Sequence, residues 1–373
     1  MQRLLIVIGI FMVLLAGCSF MQREGQLLPE TKTNLAQKPA ASPSFFTKTS
    51  VHPLKEPRGF AMISEWLDSE TILYVEEHDQ KSTLKSYHLF SGKTESFFET
   101  NEWIIDVKGN EDLSLFSILT YDESDQSSLY VVNDEGQMQL ELQQFGDSYS
   151  IYWNPYKTDE MMLVTYLPDW DFEVYHINVE GQTIKPIDIG QTYFQWNSAN
   201  EVLFLDWDEL QPNYEAPLFS YNLETEEREE LVSPIISMMS FSDQLHVQVS
   251  VDSIYELYST YTFSVEGESV SELEMPILNT YSEQWWVPFY EYDPKSSTFY
   301  YLRPKYSGDY FSYEDGYQLI AFDPRTNAEV NILEVDQHLP IKLSPDGKMM
   351  LIGNRFEEVI ILREKEKLPL LQS

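Results

Sequence analysis

Short runs of apolar residues, separated by turn-forming residues, succeed one another from about residue 60 to the C-terminus. The runs are rich in β-branched and aromatic side chains, as in residues 71–75, 161–166, 299–302 and 349–352. No stretch with the apolar spacing of a helix competes with them. The pattern therefore predicts strands along this whole region.

The predicted strands recur in a repeat. Each unit begins with an aromatic or apolar anchor, continues into a turn of Asn, Asp, Ser, Pro or Gly, and then adds further strands. The anchors are spaced 41 to 51 residues apart: Trp66, Val107, Trp153, Trp196, Phe241, Tyr292 and Leu343. A period of roughly 40–50 residues with four strands per unit is typical of propeller blades. The sequence predicts an all-β fold, a β-propeller of seven four-stranded blades, with six or eight blades as alternatives.

The ends of the repeat region bear on how such a ring closes. The seventh unit finishes with charged residues 363–367, so an outer strand is not evident there. We expect the stretch Ser44–Leu54 to supply it, closing the ring with an N-terminal strand and removing two open sheet edges. A β-sandwich would contain similar strands, but it would not repeat at this period.

The first residues have the layout of a lipoprotein signal peptide. After a short cationic start, the uncharged run Leu4–Gly17 has 14 residues, fewer than the roughly 20 that a membrane-spanning helix needs. Leu15-Ala16-Gly17-Cys18 resembles the bacterial lipobox, whose Cys carries a diacylglyceryl thioether. We predict a signal peptide over residues 1–17, a lipidated Cys18 with a flexible tether over 18–50, and the propeller over 51–373.

Charge and cysteine content exclude several classes of protein. The chain of 373 residues has a formal net charge of −37, which excludes a nucleic-acid binder because phosphates require a basic surface. Cys18 is the only cysteine, so neither a disulfide framework nor a cysteine zinc site is possible. The tether 18–50 has four basic and two acidic residues; the acidic charge therefore lies in the predicted propeller.

The turn Ser344-Pro345-Asp346-Gly347-Lys348 and its weaker copies resemble the propeller repeats of the TolB and dipeptidyl-peptidase type. Together with the lipobox, the chain length and the short tether, the whole chain resembles the bacterial lipoproteins called YqgU. This resemblance implies an extracytoplasmic lipoprotein with a propeller that is usually described as six-bladed. It implies no activity, and no catalytic residue can be carried over from it.

Motifs for catalysis or cofactor binding are absent from the sequence. There is no Gly-x-Ser-x-Gly elbow, no Gly-x-Gly-x-x-Gly, no phosphate loop and no His-Glu-x-x-His. The six histidines occupy unrelated strand positions. We therefore predict no catalytic residue, no metal site and no cofactor.

The loops between the second and third strands of each unit combine acidic and aromatic residues. In a propeller these loops all open on one face. The candidate ligand-binding residues are Asp169, Trp170, Asp171, Asp206, Trp207, Asp208, Asp309 and Tyr310. Carboxylates attract cations, and aromatic rings offer flat faces to a sugar or an ammonium group. Because the whole region is acidic, acidic loops also arise without function, and Trp170 or Trp207 can instead cap the end of a blade.

These observations favour a protein anchored through diacylglyceryl-Cys18 on the extracytoplasmic face of the cell membrane. The leading hypothesis is a non-enzymatic propeller that binds a protein, a glycan or a cationic ligand of the cell envelope. One alternative is a polysaccharide hydrolase or lyase that uses a carboxylate pair in the central funnel. Another is a structural accessory of an envelope complex that uses the blade edges.

Overall fold

The computed structural model describes residues 50–372, except 80, 125, 144, 209–212, 254 and 280–285, and except the side chains of Asp169, Val232 and Ser233. Cys18, the signal peptide and the stretch 18–49 lie outside the described residues. Within the described part there is no α-helix, and no helix is long and apolar enough to cross a membrane.

The described chain consists almost entirely of strands. Those of the N-terminal half are β1 (Leu54–Lys55), β2 (Phe60–Trp66), β3 (Thr71–His78), β4 (Lys81–His88), β5 (Thr94–Thr100), β6 (Trp103–Gly109), β7 (Leu115–Tyr121), β8 (Ser127–Asn133), β9 (Met138–Gln143), β10 (Ser148–Trp153), β11 (Glu160–Tyr166), β12 (Phe172–Asn178), β13 (Thr183–Ile187), β14 (Gln195–Ser198), β15 (Glu201–Leu205), β16 (Ala216–Asn222) and β17 (Arg228–Ile235). Those of the C-terminal half are β18 (Ser237–Ser240), β19 (Leu245–Ser250), β20 (Tyr258–Val265), β21 (Glu268–Pro276), β22 (Leu278–Asn279), β23 (Tyr290–Asp293), β24 (Thr298–Pro304), β25 (Gly308–Asp309), β26 (Tyr317–Asp323), β27 (Ala328–Val335), β28 (Ile341–Leu343), β29 (Met349–Ile352), β30 (Glu358–Ile361), β31 (Glu366–Pro369) and β32 (Leu371–Gln372). Two 3₁₀ turns, Pro168–Trp170 and Tyr310–Ser312, lie between strands.

These strands form seven four-stranded antiparallel sheets, which we number as blades 1 to 7 along the chain. The blades are β2–β5, β6–β9, β10–β13, β14–β17, β18–β21, then β23, β24, β26 and β27, and finally β28–β31. First strands of neighbouring blades contact one another, whereas fourth strands such as β5 and β13 are largely exposed. The first strands therefore surround the centre of the ring. The prediction of a seven-bladed propeller is confirmed.

Every predicted anchor lies in the first strand of a blade or directly after it. Three of the anchors are tryptophans, and each indole donates a hydrogen bond to a backbone oxygen of the neighbouring blade: Trp66 to Lys342 (3.2 Å), Trp153 to Lys108 (3.3 Å) and Trp196 to Tyr152 (3.0 Å). A buried indole needs a partner for its N–H, and here the partner belongs to another sheet. The anchors thus hold adjacent blades together as well as filling the space between them.

The second strands form the most deeply buried layer. Strand β3 buries its first six residues, β11 also buries its first six, and all four residues of β29 are buried. Both faces of a blade pack against neighbouring blades, so these strands read as continuous apolar runs without alternation. This accounts for the pattern from which the strands were predicted.

The ring closes between blades 7 and 1. A shared core includes Trp66 and Tyr74 of blade 1 with Leu351 and Val359 of blade 7, and the Ile63 N–H donates to the Arg355 carbonyl oxygen at 3.3 Å. Each blade is formed by one continuous segment of the chain. The ring is therefore closed by contacts between the first and last blades.

The predicted source of the last outer strand was wrong. Strand β31, from the C-terminal segment itself, pairs with β30 and completes blade 7. The N-terminal strand β1 takes part in closure differently, by pairing in parallel with β32 at Leu54↔Leu371. The segment before β1 also bonds to blade 1, because the His52 N–H donates to the Leu89 carbonyl oxygen at 2.7 Å. Residues 363–367 looked like a charged tail because an outer strand faces water and tolerates charge on its exposed positions.

Candidate functional site

The two ends of the ring differ in their connections. We call the loop face the end formed by the loops between second and third strands: 79–80, 122–126, 167–171, 206–215, 251–257, 305–316 and 353–357. We call the turn face the end formed by the turns between first and second strands: 67–70, 110–114, 154–159, 199–200, 241–244, 294–297 and 344–348. Adjacent strands are antiparallel, so the two sets of connections lie at opposite ends of the blades.

Exposed aromatic side chains gather on the loop face. Among the described residues they all lie in connections or at strand ends on this side: Trp170, Tyr193, Trp207, Tyr255, Tyr258, Phe289, Tyr306 and Phe311. Trp170 is fully exposed and Tyr255 is 85% exposed. Exposed apolar side chains elsewhere are aliphatic and lie mostly on fourth strands: Met138, Ile184, Leu231, Val270 and Val330. An aromatic patch of this kind marks an interaction surface more often than scattered single residues do.

The loop of blade 3 exposes the Trp170 side chain to solvent. Trp170 ends the 3₁₀ turn with a positive φ of 66°, a conformation that L side chains adopt rarely. The Asp171 carboxylate accepts the N–H of the following Phe172 at 2.9 Å. The side chain of Asp169, the third predicted residue of this loop, is not among the described ones. The indole is therefore held out into solvent by a loop that its neighbours stabilise.

In the loop of blade 4 the predicted carboxylate is engaged within the protein. Asp206 pairs with Arg228 at 2.6 Å and also accepts from the Gln191 amide at 3.3 Å. The guanidinium of Arg228 lies over the rings of Phe204 and Phe219, at 4.9 and 4.3 Å from their centroids. Asp206 thus anchors the base of this loop.

Beyond Asp206, the next two predicted residues of the same loop point to solvent: Trp207 is 38% exposed, and Asp208 is exposed as well. They extend the aromatic and acidic surface that begins at Trp170.

In blade 6 the two predicted residues also have structural contacts. Asp309 caps the 3₁₀ turn by accepting the Ser312 N–H at 3.0 Å. Tyr310 is half-buried and packs edge-on against His338 at 6.2 Å. Burial lowers the pKa of His338 to about 4, and its Nε2 accepts the Phe289 N–H at 3.1 Å, so this ring is neutral at physiological pH.

Two strongly exposed rings of the loop face were not among the predicted site residues. Phe311 is next to Tyr310 and is 64% exposed, and Tyr255 lies in the loop of blade 5. The signal available for both was a bulky aromatic residue inside a loop rich in Ser, Asp and Glu. All eight predicted residues belong to connections of the loop face, in blades 3, 4 and 6.

A second candidate site lies at the turn face, where the central channel opens. The residue before each anchor faces the channel because side chains alternate along a strand. These residues are Glu65, Asp106, Tyr152, Gln195, Ser240, Glu291 and Lys342. Sequence reasoning named the anchors and passed over their neighbours, although the side chain with a polar group before each anchor was visible in the sequence.

Glu65 is the most deeply buried charge of the channel, with 3% of its surface exposed. Its carboxylate accepts the N–H groups of Trp66 at 2.8 Å and Gly109 at 3.1 Å. Lys342 lies 2.7 Å from the same carboxylate. Burial alone would lower the pKa of Lys342, but the nearby carboxylates of Glu65 and Glu291 outweigh it and raise that pKa above its ordinary value. The Lys342–Glu65 pair therefore joins blade 1 to blade 7.

Glu291 has no such partner of its own. Burial raises its pKa from 4.5 to about 7; Lys342 opposes the shift, whereas the negative charges of Glu65 and Glu111 reinforce it. The Leu343 N–H also favours the ionised form, but it does not outweigh burial. Burial thus brings the pKa of this channel carboxyl group close to neutral pH.

The channel mouth is divided by contacts that cross it. Ser242 of blade 5 donates to the carboxylate of Glu111 of blade 2 at 3.1 Å, and the Tyr156 hydroxyl donates to the Phe241 carbonyl oxygen at 3.2 Å. Two cavities result, of about 220 and 280 Å³, and both are bounded by Glu111 and Trp153. Aromatic side chains line the smaller cavity, and the larger also contains Glu65, Glu291 and Lys342.

Comparison with known proteins fits this architecture. The model of the YqgU-like 6-bladed beta propeller domain matches residues 88–353. This chain belongs to the YqgU-like propeller family. It is 26% identical over 306 residues to the uncharacterized lipoprotein YqgU of Bacillus subtilis (strain 168), covering 81% of each chain. The family description counts six blades, whereas this YqgU-like chain forms seven four-stranded sheets.

Solved structures similar to this YqgU-like protein show the same fold. The crystal structure of the uncharacterized protein lmo1340 from Listeria monocytogenes EGD-e superposes with a TM-score of 0.78 at 18% identity, covering 87% of this chain and 98% of the other. The beta-propeller domain of the Trilobed protease from Pyrococcus furiosus gives a TM-score of 0.59 at 13% identity, covering 84% and 98%. These likenesses establish the propeller fold alone.

Proposed function

We propose that this YqgU-like protein is a membrane-anchored, extracytoplasmic lipoprotein whose propeller binds a protein, glycan or cationic ligand of the cell envelope without catalysing a reaction. The observation that carries the proposal is the concentration of exposed aromatic side chains on the loop face, across the connections of blades 3 to 6. Exposing rings of this size to water is unfavourable unless a partner covers them for part of the time.

The anchoring part of the proposal rests on the N-terminus. Leu15-Ala16-Gly17-Cys18 ends a signal-peptide-like segment, and the Bacillus relative is named a lipoprotein. Lipidation at Cys18 would attach the propeller to the bilayer through a tether of about 30 residues. The acidic propeller would then be repelled from anionic lipid and would present itself to envelope partners.

Cross-linking of the full-length lipoprotein in living cells tests the binding role. We compare the native chain with a loop-face variant, Trp170→Ser, Tyr255→Ser and Phe311→Ser. The matched control is Met138→Ser, Ile184→Ser and Val270→Ser, which removes an equal number of exposed apolar side chains from fourth strands. We expect capture of a specific partner to fall at least fivefold in the loop-face variant and to persist in the control.

Other outcomes point to other functions. Loss of capture only in the fourth-strand control would support an accessory role that uses the blade edges. Equal capture by all three chains would contradict a loop-face site. A parallel variant with Asp169, Asp171, Asp206 and Asp208 changed to Asn tests whether charge contributes; for Asp206 this change also breaks the pair with Arg228, so its folding is checked separately.

A second candidate function is a polysaccharide hydrolase or lyase acting in the channel. One observation favours it: Lys342 lies 2.7 Å from the Glu65 carboxylate, while burial raises the pKa of Glu291 to about 7. Acid and base catalysis requires two carboxyl groups in different electrostatic environments. Shortening of purified envelope polysaccharide by the native chain, abolished by Glu291→Gln, would support it; no shortening at any pH between 5 and 8 would contradict it.

A further inference from the structure

The larger cavity of the turn face has the walls of a binding site. Its volume of about 280 Å³ lies near the lower end of the range for small-molecule sites, so it suits a compact ligand. Trp153 provides aromatic surface, and Glu65, Glu111, Glu291 and Lys342 provide charge. The site is formed by the first strands and turns of several blades, which are rigid elements compared with the loops of the opposite face.

The charges around this cavity do not balance. Three carboxyl groups, Glu65, Glu111 and Glu291, surround the single ammonium group of Lys342, and Asp106 adds a further negative charge near that lysine. Asp106 is itself paired with Lys108 at 3.3 Å. Lys342 is already engaged by Glu65 at 2.7 Å. Two carboxyl groups remain: Glu111 accepts from the Ser242 hydroxyl at 3.1 Å, and Glu291 can be compensated either by a proton or by a cation that enters the cavity.

The lining favours an organic cation over a metal ion. A hard cation such as Ca²⁺ takes about 6–8 oxygen ligands, whereas the Glu65 oxygens already accept from two N–H groups and from Lys342. Within the described part of the chain, no group of three or more His, Cys, Asp or Glu residues is arranged to hold a metal. An ammonium group instead gains from the Trp153 ring, which lines the cavity, together with a carboxylate.

We propose that the cavity lined by Trp153, Glu111 and Glu291 binds a small organic cation with an ammonium group, and that Glu291 is its counter-ion. This site lies on the turn face and is separate from the loop face that binds the envelope partner. Each site can therefore be removed without the other.

Binding of such a cation displaces the proton of Glu291. Since burial raises the pKa of that carboxyl to about 7, affinity for a permanently charged cation rises with pH as the proton is lost. The expected increase is roughly fivefold between pH 6 and pH 7 and under twofold between pH 8 and pH 9, as linkage requires for one titrating group. Glu65, Glu111, Asp106 and the lysines Lys342 and Lys108 also face this site, so the part of the profile that Glu291→Gln removes is the part that reports Glu291.

Calorimetric titration of the full-length protein with choline tests the proposal. Dimethylbutanol, the uncharged carbon analogue of choline, serves as the matched ligand control. We expect choline to bind, dimethylbutanol to bind at least tenfold more weakly, and proton release at pH 6.5 to appear as a dependence of the heat on buffer ionisation enthalpy. Glu291→Gln should reduce choline affinity at least tenfold and abolish the proton release, whereas Glu180→Gln in an exposed turn should change neither.

Three results would overturn the proposal: no choline binding by the native chain, unchanged affinity in Glu291→Gln, or tighter binding of Ca²⁺ than of choline in competition. Far-ultraviolet circular dichroism and the partner capture described above show whether Glu291→Gln retains the fold. Competition between free choline and phosphatidylcholine vesicles separates a soluble cation from a lipid headgroup, and displacement by either supports the ammonium site.

Discussion

The turn face and the loop face are made by the same seven blades, yet their connections are stabilised differently. On the turn face, side chains of one turn reach the backbone of the next blade: Asn110 Nδ2 to Thr158 O (2.8 Å), Asn154 Nδ2 to Ala199 O (3.0 Å) and Lys295 Nζ to Pro345 O (2.7 Å). On the loop face, Asp171, Asp206 and Asp309 instead bond within their own blade or to the residue that enters it. The turn-face connections therefore bond neighbouring blades to one another, whereas these three loop-face carboxylates stabilise their own loops.

Loop length follows the same division. On the loop face the connections of blades 4 and 6 span residues 206–215 and 305–316, and those of blades 3 to 6 contain the exposed rings. The connections of blades 1, 2 and 7 are short, and their described residues include no exposed aromatic side chain. Surface loops tolerate insertion because their backbone is solvated, whereas lengthening a turn-face connection would break bonds between blades.

The largest difference between the two faces should appear when one tryptophan is removed from each. Trp66→Ala removes a side chain that is 1% exposed and bonded to Lys342, so we expect a loss of about 3–5 kcal/mol in the free energy of unfolding. Trp170→Ala removes a fully exposed indole, and the expected change is within about 0.5 kcal/mol. Urea unfolding measures both, and equal losses would show that the loop of blade 3 is part of the stabilising structure.

A smaller difference is expected between the ion pairs of the two faces. The Lys342–Glu65 and Arg228–Asp206 pairs have similar distances, 2.7 and 2.6 Å. Their side chains differ in exposure: 28% for Lys342 and 5% for Glu65, against 38% for Arg228 and 36% for Asp206. Glu65→Gln should cost about 2–3 kcal/mol because it leaves the partly buried Lys342 with a weakened partner, although Glu291 can ionise in response. Asp206→Asn should cost less than about 1 kcal/mol. A double-mutant cycle on each pair measures the coupling, and equal coupling would remove the distinction.

The smallest effect concerns pH. Because burial raises the pKa of Glu291 from 4.5 to about 7, the folded chain binds this proton more tightly than the unfolded chain. Its stabilising contribution is present below pH 4.5 and is lost as the pH rises to about 7. We expect the native chain to lose about 1–2 kcal/mol relative to Glu291→Gln between pH 5 and pH 7.5.

The opposite titration of His338, whose pKa burial lowers to about 4, is common to both chains and cancels in this comparison. A constant difference between the two chains over the interval would contradict the assignment to Glu291.

Much of the fold was predictable because propeller blades are local units. The anchors Trp66, Trp153 and Trp196 repeat at the blade period, and turn residues follow them directly, so seven units and their strands could be counted from the chain. The outer strand of blade 7 was missed because Glu366–Pro369 is short and follows a charged segment. Outer strands pack on one side only, so they leave a weak apolar signal.

The candidate sites were predictable to different degrees. That Trp170, Trp207 and Tyr310 belong to connections on one face follows from strand order, since equivalent loops of successive blades open at the same end. The contacts of these residues do not follow from strand order. The ion pair of Asp206 with Arg228 and the packing of Tyr310 beside His338 depend on side chains that are distant in sequence or lie on another element.

The sequence by itself determined the repeat, the all-β blades, the acidic surface and the lipobox-like start, because each depends on residues that are neighbours along the chain. Only the tertiary structure decided that Glu65, Glu291 and Lys342, which are separated by as many as 277 residues, share one cavity. Closing the ring brings the first strands of blades 1, 6 and 7 together. A carboxyl group that is ordinary in an isolated strand thereby becomes buried among other charges, and its proton affinity changes.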